Sequence, residues 1–226
     1  MTQDRVTPLD SLLLQFPRML DPEGGCVWNR QQTHRSLVPY LIEEVYELVE
    51  AIETGDRDGM LEELGDVLYQ LVFHAELAAS EPGEGFDLQD VARAVTDKMV
   101  RRHPHVFADV SAPTVERVLE VWNEAKSAEK RERRSVLEGV PRALPALALA
   151  DKLLGRAARV GIDPVRSPSE RLGTDAAAPT AEAELGDALL ALVETARERG
   201  LDAEQVLRDR LRELEAEIAG AESPTT

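Results

Sequence analysis

The sequence predicts an all-α protein, a helical bundle, and three observations lead there. Apolar residues, mostly Leu, Val and Ala, make up 43% of the 226 residues while aromatics make up 4%, a mixture that favours helices. Apolar positions recur every three or four residues along several stretches, and none alternates as a half-buried strand does. Cap and stop signals divide these stretches at intervals suited to short turns between packed helices.

Taken in order, Thr7, Pro8 and Asp10 read as a helix start, with Thr7 as cap and Pro8 in the first helical position. Leu9, Leu12, Leu13, Phe16 and Leu20 form its apolar face, and Pro17 is expected to kink or end it. The segment Asp21 to Thr33, with Pro22, Gly24, Gly25, Cys26 and Trp28, is a loop. Trp28 either covers a ligand or anchors that loop, and Cys26 reads as a small packed residue with no base beside it. Two helices joined by a short turn follow, framed by Leu41, Val45, Leu48 and Ile52 on the first and by Leu64, Val67, Leu68, Leu71 and Val72 on the second. Asp87 caps a further helix with apolar positions Val91, Val95 and Met99. Pro113 and Thr114 start another, running toward Arg134, whose Val115, Val118, Leu119 and Trp122 face a core.

The later part is divided by proline. A helical region opens at Pro141 and runs toward Val160, then Pro164, Pro168, Gly173 and Pro179 mark a loop or linker. Beyond it Glu184-Leu-Gly-Asp187-Ala-Leu-Leu copies Glu63-Leu-Gly-Asp66-Val-Leu-Tyr, and a last helix spans Asp202 to Ala219. A repeat at this distance indicates duplicated helical modules. The expected organisation is a first module over 1–135, a connecting helix over 136–163, a linker over 164–180 and a second module over 181–226.

Composition narrows the function classes. The net charge of -17 argues against nucleic acid or an anionic membrane surface as partner, although a nucleotide remains open if a metal supplies positive charge. A single cysteine excludes an internal disulfide and suits a reducing compartment. With no basic-then-apolar N-terminal signal and no long apolar run, a cytoplasmic protein is expected.

The chemistry concentrates between Glu43 and Asp66. Glu43 and Glu44 are followed by Glu47 on one helix, and Glu63 by Asp66 on the next. Residues three or four apart share a helical face, so antiparallel packing would let Glu44, Glu47, Glu63 and Asp66 converge. Converged carboxylates need a cation, and oxygen ligands without His or Cys favour a hard ion, Mg²⁺ or Mn²⁺. In a chain with 43 acidic residues the spacing alone also fits solvated helix faces. The apolar frame beside these acids favours the site, because an acid at a packed seam is costlier than one facing water.

The basic residues admit two readings as well. Lys98, Arg101 and Arg102 complement the negative end of their own helix, or Lys98 and Arg102 hold phosphate oxygens. Trp122 belongs to a core, or packs against a base while Lys126, one turn on, reaches a phosphate. His103 and His105, flanking Pro104, read as helix-end and loop residues. No Glu-x-x-His pair is present, which sets aside a di-iron bundle.

The words DPEGGCVWNRQQTHRSLVPYLIEEVYE, LEELGDVLYQLVFHAEL, DKMVRRHPHVFAD, VLEVWNEAK and VPRALPAL resemble, collinearly from Leu9 to Gly161, the MazG family of nucleoside triphosphate pyrophosphohydrolases, part of the all-α NTP pyrophosphatase group. The resemblance implies that Glu44, Glu47, Glu63 and Asp66 bind Mg²⁺, with Glu43 in support or as base. It further implies that Lys98, Arg102, Trp122 and Lys126 contact the nucleotide. The implied reaction converts a nucleoside triphosphate and water to monophosphate and pyrophosphate, with broad base specificity and a role in clearing unwanted nucleotides. A homodimer completing the bundle is also expected, since one module offers few helices to enclose a nucleotide. The rivals are a dUTP or dCTP pyrophosphatase, a phosphoribosyl-ATP pyrophosphohydrolase, and a non-catalytic nucleotide-binding regulator.

The chain departs from the family pattern at three places, of which Pro17 in the first helix is one. The usual CPWD loop reads Cys26-Val27-Trp28-Asn29, and no EExxE precedes Glu184. The second module also lacks the Lys-x-x-Arg-Arg and Trp-x-x-x-Lys patterns. It is therefore expected to be catalytically dead and to serve packing or dimerisation.

Overall fold

The computed structural model describes residues 7–83, 85–129, 135–162 and 180–222, and these are helices and turns with no strand among them. The helices are α1 (Pro8–Leu20), α2 (His34–Thr54), α3 (Arg57–Ala79), α4 (Leu88–Arg102), α5 (Pro104–Phe107), α6 (Val115–Ala128), α7 (Ala146–Ala157), α8 (Ala181–Glu198) and α9 (Ala203–Glu222). Short 3₁₀ turns lie at Asn29–Gln31 and Ala158–Val160. The chain divides into two compact units, residues 1–128 and 129–226, so α7 groups with α8 and α9. None of the described helices is long and apolar enough to cross a membrane. The expected linker lies almost wholly outside the described residues.

In the first unit α1 is capped as expected. The Thr7 hydroxyl accepts from the Asp10 N–H while the Asp10 side chain accepts from the Thr7 N–H. Pro17 does not end this helix, which continues to Leu20. The proline costs the Leu13 carbonyl its helical donor, but Phe16 is fully buried beside it and Cys26 N–H bonds the Met19 carbonyl at 2.8 Å, tying down the last turn.

The pair α2 and α3 is the centre of this unit. Thr33 and Ser36 form a reciprocal cap at the start of α2, and α2 ends at Gly55, whose φ of 73° is left-handed. Asp56 then caps α3, its carboxylate accepting from the Asp58 and Gly59 N–H groups. A two-residue turn of a glycine stop and an aspartate start forces the helices back alongside each other. Phe16, Leu37, Val72 and Phe73 are fully buried and form the core that joins α1 to the pair. Phe16 meets Tyr69 and Phe73 with ring centroids 5.1 and 5.2 Å apart, in tilted and edge-on arrangements.

Several positions expected to face a core do not. Val45, Ile52, Leu64 and Leu71 lie exposed on the outer side of the pair, while Leu41, Leu48, Val67 and Leu68 are half-buried. Each helix carries apolar residues on more than one face, and one unit covers only part of that surface, through α1 and α4. In α6 the expected Val115 and Leu119 are 71% and 55% exposed, whereas Val121 is buried. The inward face of that helix is Val118, Val121, Trp122 and Ala125.

Phe73→Ala removes a ring that contacts Phe16, Tyr69 and Trp28. Urea denaturation should show a loss of about 3–5 kcal/mol. Val115→Ala, on exposed α6 surface, should change stability by less than about 0.5 kcal/mol.

Candidate active site

The hairpin places Glu44 on α2 opposite Glu63 and Asp66 on α3. One carboxylate oxygen from each of the three lies within 4.8 Å of the others. Among the described residues this is the one such group of three or more His, Cys, Asp or Glu side chains. Glu44 and Glu63 are half-buried and Asp66 is exposed, so the cluster opens to solvent on one side. Glu63 Oε2 is buried with no hydrogen-bond partner. A buried anionic oxygen without a donor is costly.

The electrostatics agree with the geometry. Burial, then the charges of Asp66, Glu47, Glu63 and Glu43, pushes Glu44 above the usual glutamate range. Glu63 is raised by burial, then by Glu47, Asp66 and Glu62. Glu47 thus acts on both half-buried glutamates, although it stands outside the three-oxygen group and is exposed, as is Glu43. Three converging carboxylates, one with an orphaned buried oxygen, fit a hard divalent cation.

The basic and aromatic residues group around Trp122. The Arg102 guanidinium carbon lies 5.3 Å from the Trp122 ring centroid, a cation–π contact. His103 meets the same ring edge-on at 4.9 Å, and its Nδ1 lies 2.7 Å from the Met99 carbonyl at the end of α4. His105 packs 5.5 Å from His103, its Nδ1 buried without a partner. Lys126, one turn beyond Trp122, is half-buried. Lys98 instead lines an open groove on α4 of about 700 Å³, with Phe86, Asp90, Val91, Val95 and Arg101. Trp28 anchors its loop, edge-on to Tyr40 at 5.5 Å.

Two features of α3 escaped the sequence reading. Gln70 is 4% exposed with its Oε1 unpartnered. His74, pushed down by burial and then by His34, shares a 2.8 Å Nδ1 to Nδ1 contact with His34 at the start of α2. One ring must donate and the other accept. Glu63, Val67, Gln70 and His74 follow one heptad stripe toward α2, so helical arithmetic extended from Glu63 would have found both.

Residues 32–107 match the MazG nucleotide pyrophosphohydrolase domain. The chain is 39% identical to the nucleoside triphosphate pyrophosphohydrolase of Escherichia coli strain K12, over 93% of this chain and 88% of that protein. It is 37% identical to the nucleoside triphosphate pyrophosphohydrolase/pyrophosphatase MazG of Thermotoga maritima, over 91% of this chain and 82% of that one. A crystal structure of a mazG-related protein from Thermotoga maritima aligns with 52% of this chain and 98% of its own, at a TM-score of 0.44 and 28% identity. With the matched segment holding all the clustered acids, the chain belongs to the MazG family of nucleotide pyrophosphohydrolases.

Proposed function

We propose that the chain hydrolyses nucleoside triphosphates to nucleoside monophosphate and pyrophosphate, using Mg²⁺, with Mn²⁺ as substitute, and accepting several bases. The observation that carries this reading is the convergence of Glu44, Glu63 and Asp66 around the unpartnered Glu63 Oε2. Family membership, and relatives named for this activity, support it. Clearance of unwanted nucleotides is the role such breadth would serve.

Glu44, Glu63 and Asp66 would hold the cation, with Glu47 beside them. When bound, it supplies positive charge against the triphosphate oxygens. Glu43 or Glu47, both exposed at the rim, accepts the proton of the attacking water. The water oxygen bonds to the α-phosphorus as the bond to the departing pyrophosphate breaks in line. Lys98, Arg102 and Lys126 take up charge on the phosphates, and Trp122, steadied by Arg102 and His103, offers a surface for the base. The exposed outer side of α2 and α3, with Ile42, Val45, Tyr46, Leu64 and Leu71, suits a second copy of the chain.

The second unit is assigned no catalysis. On α8 Glu184 is exposed and Asp187 half-buried, and neither belongs to a three-ligand group among the described residues.

Pyrophosphate release from a panel of NTPs and dNTPs should fall by about 100-fold or more in Glu44→Ala and Asp66→Ala with helicity retained. Glu184→Ala/Asp187→Ala should keep wild-type turnover. No release by the wild type from any nucleotide, or loss in the second-unit variant while folded, contradicts the assignment.

The raised Glu44 and Glu63 also set a pH dependence. A carboxylate whose folded-state pKa is raised stabilises the cation-free fold below its unfolded value, and that contribution is lost as pH rises through the raised value. The cation relieves the repulsion left above it. Mg²⁺ should therefore raise Tm more at about pH 8 than at about pH 5, and Glu63→Gln should flatten the difference. An equal Mg²⁺ increment at both pH values in the wild type would count against the site.

A further inference from the structure

The open end of the α2–α3 hairpin is fastened by two imidazoles. His34 is the first residue of α2 and His74 lies in the second half of α3, with their Nδ1 atoms 2.8 Å apart. The ring planes are within 4° of parallel and the centroids are 5.1 Å apart. That separation equals the nitrogen–nitrogen distance plus one ring radius on each side. The rings therefore lie end to end in one plane, with both Nδ1 atoms aimed along a single line. Only a proton fits between them, since a metal on that line needs its two nitrogens about 4 Å apart, twice a bond of about 2.0–2.1 Å.

The surroundings decide which ring holds that proton. His74 Nε2 is buried with no partner, and a buried N–H without an acceptor is worse tolerated than a bare lone pair. His74 therefore carries its proton on Nδ1 and donates to His34 Nδ1. His34 carries its own on Nε2, which faces the Glu81 carboxylate at 3.7 Å beyond the end of α3, with the two side chains 43% and 64% exposed. In this neutral pair every N–H meets an acceptor or water. A third proton has no such place. On His74 it lands on the buried Nε2; on His34 it sets two N–H groups head to head, unless His74 moves its own proton to that same buried Nε2. Each charged form of the pair breaks it.

The other charged groups nearby are engaged elsewhere. Glu76 on α3 and Asp87 at the start of α4 act on each other. Asp10 and Arg18 of α1 bond Thr7 and Gln15, and Arg30 in the loop before α2 bonds the Pro22 carbonyl. Arg35, next to His34, is exposed to water. Glu81 is the charge that meets the pair.

We propose that His34 and His74 form a proton-controlled latch on the hairpin, closed while both rings are neutral and released when one is charged, His34 then exchanging His74 for Glu81. Glu81 is already at ion-pair distance and needs only the charge on His34. The titration of His74 runs the same way: burial, then His34, holds it below the usual histidine range. A histidine lowered in the fold stabilises it above the ordinary value, and that contribution is lost as pH falls through the lowered one. Release accordingly accompanies acidification from about pH 7 toward about pH 5 and frees the first turn of α2. The latch goes beyond the catalytic reading and does not rest on it, since neither ring belongs to the clustered acids.

The test uses the full chain with ¹⁵N-labelled histidine, its four histidines assigned by single substitution. At about pH 8 a coupling through the hydrogen bond should join the two Nδ1 nuclei, with the proton on that of His74, and it should vanish by about pH 5. Hydrogen exchange, expressed as protection so that its intrinsic pH dependence cancels, gives a second readout. Protection of the Ser36 and Leu37 N–H groups, which bond Thr33, should fall about tenfold or more over the same range. His34→Gln, which cannot charge, should remove that pH dependence, and Glu81→Gln should move release to lower pH by about 0.3–0.5 units. No coupling at either pH, equal protection at both in the wild type, an unchanged pH dependence in His34→Gln, or an unmoved release in Glu81→Gln would each overturn the proposal. Turnover is not among the readouts, so failure here leaves the catalytic assignment standing.

Discussion

Two helices held back to back by a two-residue turn bring like charges together, and the rest of the first unit follows from that constraint. Gly55 stops α2 in a left-handed conformation and Asp56 restarts the chain as α3, so the register of the pair is fixed at its closed end. Glu44 then cannot avoid Glu63 and Asp66. The repulsion and the buried, unpartnered Glu63 Oε2 are sustained because the aromatic core of Phe16, Tyr69 and Phe73 holds α3 elsewhere along its length. Acids in such a position destabilise the fold on their own and are explained by what they bind.

The polar seam extends beyond the acids. Gln70 and the pair of His34 and His74 continue the α3 stripe toward the open end of the hairpin, where an apolar seam would be the simpler solution. The helix pair is thus apolar on the side toward α1 and polar along part of its joining line. Its outer side carries uncovered valine, isoleucine and leucine. This distribution suits a module that acts at one face and is closed by another protein surface at the next.

The all-α class, the caps at Thr7 and Asp87, and the convergence of Glu44, Glu63 and Asp66 were legible from helical spacing, because a 3.6-residue period states which residues share a face. What spacing could not state was which of several apolar faces a helix buries. Val45, Ile52, Leu64 and Leu71 satisfy the period and are exposed, since burial depends on the neighbours that one unit supplies. Pro17 read as a kink or an end because local propensity opposes it, yet the helix runs on, the burial of Phe16 and the Cys26 bond to Met19 outweighing one lost helical hydrogen bond. The cation–π contact of Arg102 and the edge-on contact of His103 with Trp122 join α4 to α6 and have no signature in either helix alone.

The central claim is that Glu44, Glu63 and Asp66 together hold a divalent cation, and direct Mn²⁺ binding measured by electron paramagnetic resonance tests it without relying on turnover. The account predicts saturable binding by the wild type that Glu63→Gln, which keeps the side-chain shape and removes the charge, weakens by about 10- to 100-fold. Equal Mn²⁺ affinity in the two proteins, both folded, would contradict it.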